Sequence, residues 1–110
     1  MADVIRVIVG DELPLIQLAL TNEDTGAVID LSAGTTSVSV KFYLAATTTV
    51  LSTISCSKVT DGSDGLVNFN FAGGVLDVDA GAYEGEIEID FNGSVHTVYE
   101  VLRFRVRAGV

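Results

Sequence analysis

Residues 79–91 carry the pattern that most restricts how this chain can fold. Over nine positions, apolar residues or glycine alternate strictly with acidic residues. One parity holds Tyr83, Gly85, Ile87, Ile89 and Phe91, and the other holds Glu84, Glu86, Glu88 and Asp90. Such a period of two is typical of a strand that buries one face and exposes the other. The pattern therefore predicts a long strand over 82–91 with its tyrosine side in a core.

The dipeptide Asn92-Gly93 follows this strand directly. A two-residue type I′ turn needs positive φ at both central positions, which asparagine and glycine tolerate best. We therefore expect a tight hairpin into a last strand over 95–106, with Ile89 opposite His96. In this register Glu100 falls inward opposite Gly85, and a β-bulge over 99–101 or the space left by Gly85 would relieve the conflict.

The segment that leads into the long strand resembles a structural corner. In immunoglobulin-like domains a tyrosine opens the sixth strand, and its hydroxyl bonds back to nearby backbone. Tyr83, preceded by Asp79-Ala80-Gly81-Ala82, stands in that place, and Gly85 occupies the position where antibody domains have a cysteine. The corner predicts an Ig-like fold without a disulfide.

Turn clusters divide the remaining sequence into short apolar segments. With no helical periodicity over any long window, these segments indicate strands. The predicted strands span 4–9, 15–20, 36–44, 51–59, 66–71, 82–91 and 95–106. One helical turn is expected at 75–78, and Val38, Val40, Phe42 and Leu44 are expected to point inward. The chain of 110 residues is thus predicted to be a single all-β domain, 1–110, an Ig-like β-sandwich of about seven antiparallel strands.

Charge limits the partners of this domain. Fifteen acidic residues against six basic ones give a net charge of −9, which argues against binding to nucleic acid or to an anionic membrane surface. Cys56 is the single cysteine, so no internal disulfide is possible and folding in a reducing cytoplasm is favoured. No signal peptide is visible at the start, and no apolar run reaches the length of about 18 residues that a membrane span needs.

No group of residues points to catalysis, a metal or a cofactor. The loop carboxylates Asp61, Asp64, Asp77 and Asp79 do not match a calcium-loop spacing, and turn chemistry explains them better. His96 is the only histidine and is expected to cap an inward row near the hairpin. Cys56 has no companion ligand, and the turn accounts for Asn92-Gly93-Ser94, which also matches a glycosylation sequon.

Two charged rows remain as candidate interfaces. One is Arg103, Arg105 and Arg107, and the other is Glu84, Glu86 and Glu88. Either the arginines bind an acidic partner, or they form cross-strand ion pairs with the acidic row on the adjacent strand. Stripes of opposite sign on one face also suit self-association between copies.

Several short motifs give the chain a resemblance to a known family. Gly10-Asp11-Glu12-Leu13-Pro14, the apolar segment 15–20, Thr25-Gly26 and Ile29-Asp30-Leu31-Ser32 resemble the start of the N-terminal domain of the phage baseplate upper protein family. Gly81-Ala82-Tyr83, Glu86 and the final hairpin resemble its closing half. We expect no C-terminal extension of the kind that often carries a receptor-binding protein in that family, and Tyr99-Glu100 stands where a proline often follows the aromatic residue.

The resemblance implies a non-enzymatic attachment protein of a tailed-phage virion, made in the host bacterial cytoplasm. Its partners would be other virion proteins at the tail tip, the baseplate or another virion surface, and it would be present in many copies or self-associate. A decoration protein on the capsid exterior is an alternative. A carbohydrate-binding module is another, although Tyr43 and Tyr99 are the only aromatic residues expected to face outward as a sugar platform.

Overall fold

The computed structural model describes residues 4–22, 24–98 and 101–110. Within them the chain forms two β-sheets and no helix, so the turn of helix expected at 75–78 is wrong and this segment is a series of turns. The strands are β1 (Val4–Ile8), β2 (Ile16–Ala19), β3 (Thr36–Leu44), β4 (Val50–Ser55), β5 (Ser57–Lys58), β6 (Leu66–Phe69), β7 (Gly81–Phe91), β8 (Val95–Thr97) and β9 (Leu102–Arg107).

The two sheets differ in size. The large sheet has the order β1-β9-β7-β3-β4, with β8 also paired to β7, and the small sheet has the order β2-β6-β5. The predicted set of about seven antiparallel strands needs two corrections. Two predicted strands are each divided in two, and β1 pairs with β9 in parallel, with Arg6 opposite Arg105.

One hydrophobic core joins the inner faces of both sheets. The alternating residues of β3, β6 and β7 supply much of it, and Val40, Phe42, Val67 and Ile89 are fully shielded from solvent. Aromatic rings bridge the layers, since Phe104 of β9 meets Phe71 edge-on at a centroid distance of 5.9 Å. Two residues at strand ends were wrongly predicted to point into the core, since Leu44 is 43% exposed and Phe91 is 37% exposed.

The predicted strand over 51–59 is divided at Cys56. β4 belongs to the large sheet and β5 to the small one, so the chain changes sheets at this residue. The Cys56 amide still donates to the Val38 carbonyl oxygen at 2.9 Å, as the last backbone bond to β3. Because the chain leaves one sheet and joins the other within 51–59, its buried side chains do not all fall on the same alternate positions. This accounts for the irregular apolar pattern of 51–59.

The final hairpin keeps its predicted register near the turn and loses it beyond. Ile89 faces His96 as predicted, but Gly85 faces Leu102. The pairing has therefore shifted by two residues between β8 and β9, in the segment where a bulge was expected. Because the shift is even, Leu102, Phe104 and Val106 all remain buried. Tyr99 and Glu100 lie outside the described residues, so the structure does not test the predictions that concern their side chains.

Candidate functional site: the outer face of the large sheet

Tyr83 fixes the segment that enters β7. Its hydroxyl donates to the carbonyl oxygen of Asp79 at 2.7 Å, so the predicted bond from the tyrosine to nearby backbone is confirmed. The residue is 4% exposed, and its ring stacks on Phe42 with a centroid distance of 5.0 Å. Burial raises the pKa of Tyr83, with a smaller contribution from the Asp79 carboxylate. Gly81, predicted to be structural, is the first residue of β7.

Gly85 is required by close packing beneath the sheet. A Cβ atom built on it would lie 2.7 Å from Cγ1 of Val40 and 2.9 Å from Cε2 of Phe104. The space that a side chain would fill is therefore occupied by the two neighbouring strands. Together Tyr83 and Gly85 hold the centre of the large sheet and orient the charged side chains on its opposite face.

The outer side of β7 is a row of half-buried carboxylates, formed by Glu84, Glu86, Glu88 and Asp90 and here called the acidic column. Lys41 of the neighbouring strand β3 forms an ion pair with this column, since its Nζ lies 2.7 Å from Oε2 of Glu88. The hydrogen bond to Glu88, followed by the charge of that carboxylate, raises the pKa of Lys41. Beside it, burial raises the pKa of Tyr43, and the facing Glu84 carboxylate adds to the shift.

The outer side of β9 and β1 carries the opposite charge. Arg103, Arg105 and Arg107 are exposed at alternate positions of β9, as predicted. Arg6 of β1 is also exposed and is the Cα partner of Arg105. These four arginines, here called the basic patch, are four of the six basic residues in the chain.

The two charged rows overlap at one level of the sheet. Glu84 is the Cα partner of Arg103, whereas Arg105 faces Ala82. Glu86 instead faces Lys41 of β3, and Glu88 faces Thr97 of β8. The interpretation that the arginines serve as cross-strand partners for the acidic row thus applies only to Glu84 and Arg103. The face is divided into an acidic half and a basic half.

A shallow depression lies on the acidic half, next to the loop between β3 and β4. Its volume is about 340 Å³. The side chains that line it are Lys41, Tyr43, Thr47, Thr48, Val50 and Glu86. It is thus a polar depression with one aromatic wall.

The hairpin turn has the predicted geometry. Asn92 and Gly93 have φ values of 61° and 103°, both positive as a type I′ turn requires. The Gly93 amide donates to Oδ1 of Asp90 at 2.8 Å, which fastens the turn to the end of β7. His96 of β8 is opposite the buried Ile89, on the inward parity as predicted, but its own side chain is exposed.

The acidic loop residues act as local acceptors. Oδ1 of Asp61 accepts hydrogen bonds from the amide and hydroxyl of Ser63, and these lower the pKa of Asp61. Asp64 accepts from the Thr60 hydroxyl and the Leu66 amide. Across the described ranges, no three His, Cys, Asp or Glu side chains come together as a group that could hold a metal ion.

Cys56 lies at the point where the chain changes sheets. Burial alone raises the pKa of its thiol to about 12. At neutral pH almost all of it is therefore the thiol rather than the nucleophilic thiolate.

Two basic residues of this face, Arg6 and Lys41, were not singled out from the sequence. Each lies at an outward position of a correctly predicted strand. Their importance comes from which strands become neighbours, and the parallel pairing of β1 with β9 cannot be deduced from local periodicity. A weak signal was present, since Arg6 interrupts the otherwise apolar Val4–Ile8 in the same way as the arginines interrupt β9.

Comparisons with known proteins assign no family to the chain: no family model matches it, and no curated protein sequence matches it significantly. No helix among the described residues has the length and apolar character to cross a membrane.

Proposed function

We propose that the two sheets form an immunoglobulin-like β-sandwich. The order β2-β6-β5 in the small sheet and the run β9-β7-β3 in the large one correspond to the orders B-E-D and G-F-C of that fold. The bond from Tyr83 to Asp79 corresponds to its tyrosine corner. These features support the assignment, and the shared core accounts for its stability without a disulfide.

We infer that this domain is a non-enzymatic attachment protein of a tailed-phage virion, where it binds the tail tip, the baseplate or another virion surface. The resemblance of its motifs to the baseplate upper protein family motivates the phage assignment. The observation that carries the binding role is the basic patch: in a chain of net charge −9, four of six basic residues lie together on one exposed sheet face.

Charge separation of this kind favours a defined orientation of binding. A patch of one sign on a surface dominated by the other steers an oppositely charged partner and repels wrong ones. The partner surface is therefore acidic where it meets the basic patch. Contacts through Arg103, Arg105 and Arg107 would bury side chains that the fold itself does not need, since they are exposed in the free domain.

The test is a triple charge reversal, Arg103→Glu, Arg105→Glu and Arg107→Glu. The variant is expected to keep its circular dichroism spectrum and to disappear from purified virions, measured as copies per particle. The matched control replaces the same three residues with lysine, which keeps the charge, and should retain most of the incorporation. Electron microscopy of labelled virions then shows whether the protein lies on the tail or decorates the capsid.

Incorporation of the charge-reversed variant at the wild-type copy number would contradict docking through the basic patch. Absence of the wild-type protein from purified virions would contradict the attachment role itself. The two results are distinguishable, because the first tests whether the protein docks through the basic patch and the second tests whether the protein is part of the virion.

The depression beside Tyr43 supports one alternative of a different class, a carbohydrate-binding module. An aromatic ring next to threonine hydroxyls and the Glu86 carboxylate is a combination that suits a sugar. Tyr43→Ala should then abolish binding to a glycan array, whereas the arginine reversal should leave it unchanged. If the wild-type domain binds no glycan, this alternative fails.

A further inference from the structure

The strand β4 is an open edge of the large sheet. The order β1-β9-β7-β3-β4 places it at one end, where it pairs with β3 on one side only. Over Ser52–Ser55 this pairing is regular, and the register shifts only beyond it, between Phe42 and Tyr43. Among the described residues, the part of β4 around Ile54 is therefore a regular strand with no partner on its second side.

The regular part of this edge, Ser52–Ser55, lacks the usual protection against pairing, since the register shift lies beyond it. Edge strands of soluble proteins commonly carry a lysine, another charge or a proline that blocks the addition of a strand. The sequence Val50–Ser55 contains none of these, whereas the opposite edge β1 carries Arg6. Val50 and Leu51 are also 45% and 49% exposed. In a chain with 15 acidic residues, an uncharged edge of six residues is a surface on which two copies can approach.

The backbone bonds identify which groups point outward. The Cys56 amide donates to Val38 of β3, and amide directions alternate along a strand. Ile54 and Ser52 therefore direct their amides and carbonyls toward β3. Thr53 and Ser55, both exposed, direct theirs away from the sheet and into solvent.

We propose that β4 pairs with β4 of a second copy of this chain, antiparallel and about a two-fold axis at Ile54. Thr53 of each copy then faces Ser55 of the other. In each of these two pairs, the amide of either residue donates a hydrogen bond to the carbonyl oxygen of its partner across the edge. The Thr and Ser side chains that meet on the outer face form a favourable cross-strand pair. The large sheets of the two copies become one continuous sheet.

The outward groups at 53 and 55 are complementary to themselves under two-fold rotation, so a second copy satisfies all of them without any foreign strand. The inference goes beyond the proposed function and does not depend on it. Strands β7 and β3 separate β4 from β9, so pairing at β4 leaves the basic patch uncovered for another partner.

Sedimentation equilibrium over a range of protein concentrations tests the pairing. The wild-type mass is expected to rise from one chain to two and then to stay constant. Thr53→Lys should raise the dissociation constant about tenfold or more. Each lysine would add a charge to the edge, and the two lysines would repel each other as diagonal neighbours across the axis. Thr97→Lys is the matched control, since Thr97 is also exposed in a strand of the large sheet, and it should leave the constant unchanged.

Two further measurements keep the test independent of folding effects. Thr53→Pro removes only an amide that points away from β3, so it should give a folded monomer. In the wild type, hydrogen exchange at Thr53 and Ser55 should slow as the protein concentration rises. A mass of one chain at every concentration would overturn the proposal. So would a dimer that survives both Thr53 variants, or a mass that grows without limit, which would indicate open-ended pairing between different edges.

Discussion

Tyr83 contributes to the fold through its ring and its hydroxyl in different ways. The ring stacks on Phe42 inside the core, while the hydroxyl holds the loop carbonyl of Asp79. A buried tyrosine hydroxyl usually needs such a partner, because an unpaired polar group in a core is unfavourable. The residue thus couples the loop before β7 to the packing of β3.

Replacing Tyr83 with phenylalanine separates these two contributions. Tyr83→Phe keeps the ring and leaves the Asp79 carbonyl without its donor, so the free energy of unfolding should fall by about 1–3 kcal/mol. Urea denaturation measures the change.

Tyr43→Phe is the control for this change. It removes a hydroxyl from the outer face and should alter the stability by less than about 0.5 kcal/mol. Equal midpoints for Tyr83→Phe and the wild type would show that the hydroxyl bond is not a stabilising anchor.

At the scale of the strand, β7 depends on a missing side chain. Gly85 faces Phe42 on one neighbouring strand and Leu102 on the other, and Val40 and Phe104 close over it. Any Cβ atom there must displace one of these groups. A glycine in a strand interior ordinarily weakens it, and here close packing of the neighbours compensates.

Gly85→Ala is therefore expected to destabilise the protein, although alanine favours a strand more than glycine does. Overpacking a filled core costs about 1–3 kcal/mol, and thermal unfolding should show a lowered midpoint. Gly34→Ala is the control, because a Cβ at that position has no atom within 4 Å outside its own residue and its two chain neighbours, and the change should have little effect. A Gly85→Ala variant as stable as Gly34→Ala would mean that the core can relax at this point.

The strands most accurately predicted from sequence are those whose pattern depends on local structure alone. β3 has the predicted bounds, and the Asn92-Gly93 turn has the predicted conformation, because burial parity and positive φ follow from the residues themselves. The division at Cys56 and the two-residue shift before Leu102 were not foreseen in detail. Both depend on which distant strands become neighbours, and a periodic pattern contains no information about that.

The candidate site follows the same rule. The outward direction of Arg103 and Glu86 follows from alternation, and both are on the outer face. The separation of the charges into two halves depends on strand order, which places Arg6 beside Arg105 and Lys41 beside the acidic column. The sequence thus predicts the members of the two rows better than it predicts their arrangement.

For the whole molecule, the net charge of −9 opposes folding through repulsion among the acidic groups. The radius of gyration is 14.0 Å. At about 10 mM salt the screening length is about 30 Å and exceeds this radius, whereas at about 100 mM it falls to about 10 Å. Repulsion across the molecule therefore acts at low salt and is largely screened at higher salt. The attraction between Lys41 and Glu88 instead weakens as salt is added, but a single partly exposed ion pair contributes little to stability.

We therefore expect the thermal midpoint to rise by about 2–4 °C between these two salt concentrations, which corresponds to roughly 0.5 kcal/mol for a domain of this size. Differential scanning calorimetry at pH 7 measures it, at a protein concentration low enough to keep the mass at one chain. A variant with Asp11→Asn, Glu12→Gln, Asp24→Asn and Asp77→Asn removes four exposed negative charges and should respond less to salt, because less repulsion remains to be screened. A midpoint that falls as salt is added would show instead that attractive pairs, such as Lys41 with Glu88 and Glu84 with its cross-strand neighbour Arg103, outweigh the repulsion. The charged face would then stabilise the fold itself, in addition to any role in binding a partner.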